Sequence, residues 1–120
     1  MAVKKRLIDY ILGQIEIEKE GYISYKKVFG KYAFTFDGVI FALVIDNLVY
    51  IKVTKAGKDH IGSVVRGLPY KNADPHYIIR EDQYSDSAWF STLVELTVTE
   101  LTRSKNSPKK SIEEEASEII

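Results

Sequence analysis

Between Val28 and Val53 the chain reads VFGKYAFTFDGVIFALVIDNLVYIKV, three apolar runs parted by Asp37-Gly38 and Asp46-Asn47. Asp-Gly between β-rich runs marks a two-residue hairpin, because a type I′ turn needs positive φ at both central residues. Asp-Asn carries a weaker form of the same signal, since both side chains tolerate the left-handed region. The middle run, Val39 to Ile45, has no polar alternation and predicts a central strand covered on both faces. In the flanking runs Tyr32, Phe34 and Phe36 share one face of their strand, and Val49, Ile51 and Val53 one face of theirs. The stretch predicts an antiparallel meander of three strands, with a fourth in front of it over Tyr22–Val28.

Ahead of the meander, Leu7, Ile8, Ile11, Leu12 and Ile15 recur at helical spacing and predict a helix from about Val3 to Glu18, ended by Gly21. Lys4, Lys5 and Arg6 at its start oppose the helix dipole and suit an acidic partner, or simply a solvated terminus. Gly30 predicts a tight turn, there being neither a second Gly nor a following helix to make a phosphate loop.

After the meander, Thr54–Val65 is weakly helical, with Ile61, Val64 and Val65 toward the sheet and Gly57 and Gly62 against it. Leu68-Pro69-Tyr70 reads as extended, and His76–Arg80 as a last strand. Glu81–Asp86 is a polar connector in which Ser85 is placed to cap a helix.

Ala88–Arg103 is ambiguous. Val94, Leu96 and Val98 alternate among many β-branched residues, whereas Phe90, Leu93, Val94, Thr97 and Leu101 form a helical stripe. The length exceeds an ordinary strand, which favours helix. Past Arg103 the chain turns to SKNSPKKS and then IEEE. That composition predicts a disordered tail over 104–120, beyond a domain spanning 1–103. Ser111 and Glu114 form a capping box there, so a short helix against a partner is also consistent.

The 120 residues suffice for one domain and a single core. Lys plus Arg and Asp plus Glu both number 17, a balance unlike that of indiscriminate nucleic-acid binders. The chain has no Cys, which removes disulfides, thiolate chemistry and Cys-based zinc sites. No apolar run approaches ~20 residues, so no membrane helix is expected and the cytoplasm is the expected location.

Catalytic chemistry finds little support. His60 and His76 lie in different elements without metal-ligand spacing, and Asp37 and Asp46 are accounted for as turn residues. No nucleophile elbow or convergent oxygen-ligand set is present. The chain is therefore read as a non-enzyme without cofactor or metal. The eight Tyr residues interleave with Lys in the meander. Tyr25, Lys26, Lys27, Lys31, Tyr32, Tyr50 and Lys52 together form a candidate partner surface. Tyr residues of this kind anchor protein interfaces, stack single-stranded bases, or merely span a strand's apolar body and wet rim. A small sheet's free edge also suggests a homodimer.

One resemblance sharpens this. Phe29-Gly30, Tyr32, Phe34, Asp37-Gly38, Phe41-Ala42-Leu43-Val44, Asp46 and Tyr50-Ile51-Lys52-Val53 stand in an order and spacing similar to the N-terminal domain of the TfoX/Sxy family of bacterial competence regulators. The resemblance extends more loosely from the first helix to about Arg103. It implies an α+β fold, one antiparallel sheet of about five strands with N-terminal, middle and C-terminal helices on one face. The pattern of elements gives the same class without the strand order.

The resemblance further implies a non-catalytic regulatory module acting through protein contacts at promoters, beside a catabolite-activator-type transcription factor and with DNA engaged indirectly or weakly. Longer members continue into a second helical domain, which leads to the expectation of a stand-alone domain here. Two alternatives stay open: a small-molecule or enzymatic pocket between sheet and helix near His76, Tyr77 or Tyr50, and direct DNA binding through Lys26, Lys27 and Lys31.

Overall fold

The computed structural model describes residues 5–18, 20–28, 30–62 and 66–103. The expected tail over 104–120, together with Val64 and Val65 of the middle segment, lies outside the described residues. In chain order the elements are α1 (Lys5–Gln14), β1 (Ile23–Val28), β2 (Lys31–Phe36), β3 (Val39–Ile45), β4 (Leu48–Lys52), α2 (Lys55–Ile61), β5 (Arg66–Gly67), β6 (His76–Ile79), α3 (Glu81–Tyr84) and α4 (Ser87–Arg103). The fold is α+β, one antiparallel sheet in the order β1-β2-β3-β4-β6-β5. The two-residue β5, paired to β6 through Arg66↔Tyr77 and Gly67↔His76, makes the sheet six-stranded rather than about five.

Both expected turns carry the backbone their residues suit. Asp37 and Gly38 have φ of 49° and 83°, and Asp46 and Asn47 have φ of 51° and 65°. Two-residue loops of this hand match the strand twist and fix the register of β2 on β3 and of β3 on β4. Asp37 also fastens the start of β1: its Oδ1 accepts from the Tyr22 N–H at 2.7 Å, and its own N–H donates to the Tyr22 carbonyl at 2.9 Å.

The unalternating middle run has a local cause. The β2–β3 register jumps from Phe34↔Ala42 to Thr35↔Ile40, leaving Phe41 as an extra residue on β3. This bulge lets Phe41 and Ala42 both join the main core, while Ile40, Leu43 and Ile45 join a second cluster on the other face. Val49 and Ile51 lie in the main cluster with Tyr32, Phe34 and Phe36.

The helices pack on the main-core face, where Ile8 and Ile11 of α1 and Phe90, Leu93, Val94 and Val98 of α4 meet the sheet. The ambiguity over Ala88–Arg103 resolves as helix. Thr92, Thr97 and Thr102 each donate a hydroxyl bond to the carbonyl four residues back, at 2.7–2.9 Å, which accommodates β-branched Thr within a helix.

Several boundaries differ from the sequence reading. Helix α1 stops at Gln14 rather than near Glu18, because the Gln14 carbonyl accepts from Ser87 Oγ at 2.8 Å and Ser91 Oγ at 2.9 Å. The Ser91 hydroxyl in turn accepts from the Glu16 N–H at 2.8 Å, turning the chain out of the helix. Asp86, not Ser85, holds the start of α4, its Oδ1 accepting from the Trp89 N–H at 3.1 Å. The polar connector contains the short helix α3, whose first residues Glu81 and Asp82 suit a helix N-terminus.

Gly21 lies beyond the end of α1 and serves a close approach. A Cβ built there would come within 2.0 Å of the Phe36 ring, and Phe36 is 1% exposed and has no room to retreat. Gly13 in α1 has nothing near its missing Cβ. Gly21→Ala is therefore expected to cost about 1–3 kcal/mol through overpacking. Gly13→Ala should be neutral or add up to about 1 kcal/mol. Urea unfolding of the two variants checks this, and equal stability of both would contradict the packing of Phe36 on Gly21.

Candidate interaction surface

The strand register sorts the seven candidate residues onto two faces. Tyr25 pairs with Phe34 and Lys27 with Tyr32, so Tyr25, Lys27 and Tyr32 share the helix-covered face. Tyr25 is half-buried, its ring 5.7 Å from that of Tyr32 and 6.2 Å from that of Phe34. Lys26 pairs with Ala33 on the opposite face. Lys31 shares that face with Ala33 by the two-residue period, as Lys52 does with Tyr50. Tyr50 itself pairs with Leu43 and Ile78 there.

The surface is thus divided by the sheet, and two of its rings lie inside it: Tyr32 is 5% and Tyr50 8% exposed. A base-stacking platform needs ring faces open to solvent, which these two do not offer. Lys26 and Lys27 are exposed, on a strand with a partner on one side only. Adjacent Lys residues on an edge strand discourage self-pairing and place positive charge beside free backbone groups.

The second face is a ring of charge around an apolar centre. Ala33, Ile40, Leu43, Ile45 and Tyr50 form the buried cluster, with Tyr70 and Ile78 packed against it. Lys26 and Lys31 stand on one side, and Lys52 on β4 on the other. Burial, and secondarily the charge of Asp46, pushes the Tyr50 phenol above its usual 10.0.

The residues considered for catalysis have structural roles. The His60 Nε2–H donates to the Trp89 carbonyl at 3.0 Å, and the two rings lie 5.1 Å apart, tying α2 to α4. His76 is buried and its Nδ1–H donates to the Asp74 carbonyl at 2.7 Å. Tyr77 lies on the other face of β6 under the Arg66 guanidinium, 5.4 Å from the ring centre. A groove of about 330 Å³ sits elsewhere, between the start of α2 and the outer side of α4, lined by Ala56, Leu96, Thr99, Glu100 and Arg103 among others.

Glu100 is a residue the sequence reading missed. Its carboxylate accepts from the Lys55 and Ala56 N–H groups at 3.0 and 3.2 Å. There it complements the Thr54 cap, whose Oγ1 accepts from the Gly57 N–H at 3.0 Å. The two are 46 positions apart in the sequence, beyond the reach of any local capping pattern.

The family model for the TfoX N-terminal domain matches residues 16–101 of the chain. The protein belongs to the TfoX N-terminal domain family. That family is not a known enzyme family. In a comparison with curated proteins, none matched. Among the described residues no helix is long and apolar enough to cross a membrane, and no group of three or more His, Cys, Asp or Glu is placed to hold a metal.

The raised Tyr50 phenol has a consequence for stability. Below pH ~10 the phenol is protonated whether the chain is folded or not, and its full contribution is present. As pH rises past that value the unfolded phenol ionises first, so stability falls until the folded phenol has ionised too. Thermal unfolding at a series of pH values is expected to show a smaller alkaline loss in Tyr50→Phe than in the parent. An identical alkaline slope in the two would place Tyr50 in solvent.

Proposed function

We propose that this TfoX N-terminal domain is a non-catalytic, cytoplasmic regulatory module. It acts at competence promoters by docking on a catabolite-activator-type transcription factor, with DNA engaged only through that factor. The reading rests on the family and, in the molecule, on one observation above all. Strand β1 is a free sheet edge with exposed Lys26 and Lys27 beside the half-buried Tyr25. An acidic segment added to that edge gains backbone hydrogen bonds and charge complementarity together. Lys31 borders the same side of the sheet. Tyr32, Tyr50 and Lys52 support the surface from within or lie apart from it.

Homodimerisation through the same edge would set Lys26 and Lys27 close to their copies. Any such dimer should tighten as salt rises and compete with partner binding.

Fluorescence anisotropy of labelled promoter DNA, titrated at two salt concentrations with and without the activator, tests this reading. Binding is expected only with the activator present. Lys26→Glu combined with Lys27→Glu should weaken it about tenfold, or roughly 1.4 kcal/mol. Binding without the activator that falls steeply with salt would replace the reading with direct phosphate recognition. No binding in any arm would remove the promoter role.

A further inference from the structure

The second face of the sheet is drier than the described residues can make it. Ala33, Ile40, Leu43, Ile45 and Tyr50 are 2%, 3%, 0%, 6% and 8% exposed. They spread over β2, β3 and β4, the middle of the sheet. Of the half-buried hydrophobics packed on them, Ile78 belongs to β6 and lies in the sheet, so only Tyr70 comes from outside it. The buried residues of α1 and α4 belong to the opposite face. Lateral neighbours alone do not bring a central strand residue such as Leu43 to zero exposure; that needs atoms stacked over the face.

Few stretches of chain can supply them. Residues 63–65 span ~10 Å beside the edge strand β5, and β2 lies four strand spacings away, ~19 Å. Residues 1–4 precede a helix on the other face. Positions 19 and 29 are single residues. Residues 104–120 reach up to ~56 Å when extended and can lie anywhere on the sheet.

Their chemistry also suits the face. Ile112, Ala116, Ile119 and Ile120 recur at i, i+4, i+7 and i+8, one stripe of a helix that Ser111 and Glu114 would cap. Glu113, Glu114, Glu115 and Glu118 surround that stripe with negative charge. On the sheet the apolar cluster has Lys26 and Lys31 to one side and Lys52 to the other. A helix is ~10–12 Å across with its side chains, and the three central strands span ~10 Å, so one helix covers them.

We propose that residues 112–120 form an acidic amphipathic helix that docks on the second face of its own sheet, apolar stripe on Ala33, Leu43 and Tyr50 and carboxylates toward the lysines. The segment is then a built-in cover, and access to this face requires its displacement. This does not rest on the promoter reading.

The test uses the full chain, which has no Cys, so Glu118→Cys takes a single nitroxide label. In methyl NMR spectra the label is expected to bleach the signals of Ile40, Leu43 and Ile45. Those of Ile11 and Leu93, on the far side of the sheet and ~10 Å further away, should survive. Adding Ile112→Glu and Ile119→Glu to the labelled chain should restore the bleached signals and move the Tyr50 phenol's titration down toward its ordinary value. The same signals should stay sharp when a spin-labelled, isotope-free chain is mixed with an unlabelled, isotope-enriched one. Bleaching in that mixture would assign the cover to a second copy and overturn the proposal. Bleaching absent from the second face, or equal on both faces, would overturn it as well.

Discussion

Register is the constraint on which the rest of this molecule depends. Two turns with positive φ at both central residues join three successive strands, and neither leaves room for a slip of one residue. A slip between β2 and β3 would turn Phe34 and Phe36 away from α4 and bring Ala33 and Thr35 toward it. The Phe41 bulge then adjusts what the turns impose, setting two consecutive residues into the main core where strict alternation would give one. The aromatic layer beneath the helices, including the Phe34–Phe41 contact at 6.3 Å, follows from that register.

The same framework explains how the helices are held. They meet the sheet through apolar stripes, but their ends are fixed by polar groups distant in sequence. The end of α1 is bound by hydroxyls of α4, and the start of α2 by the Glu100 carboxylate. Gly57 lets α2 approach closely, since a Cβ there would lie 3.3 Å from Leu93 Cδ1. Gly62, with φ of 75°, ends the helix by donating its N–H to the Lys58 carbonyl at 2.9 Å. The glycines that weaken the case for this helix in the sequence are what fit it to its place.

Much of the fold was legible because its signals are local. The turn dipeptides, the α1 stripe and the length of α4 each reside in a short window, and they gave the class, the meander and the helix positions. What was not legible lies between windows. The bulge exists only as a relation between β2 and β3, the two-residue β5 is too short for any pattern, and the ends of α1 and α2 are set by residues tens of positions away. The candidate surface suffered for the same reason. Tyr and Lys were grouped by closeness in sequence, whereas alternation on paired strands sends Tyr25, Lys27 and Tyr32 to one face and Lys26, Lys31, Tyr50 and Lys52 to the other. Only the register, counted across three hairpins, separates them.

A sheet buried on both faces constrains how a domain of this family meets anything else. The helix-covered face is sealed by side chains that are nearly all inaccessible, and opening it would cost the core itself. Contact with a partner therefore falls on the edges, on the lysine rim, or on a face whose cover can leave without unfolding the rest. At a free edge, affinity comes from backbone groups that any strand can supply, so selectivity must come from the flanking charges. On a covered face, affinity for an outside partner is reduced by whatever holds the cover in place, and a change that weakens the cover acts as a gain in binding. The lysines bear on both routes: Lys26 belongs to the edge strand and to the second face at once, so charge brought to one changes the electrostatics of the other.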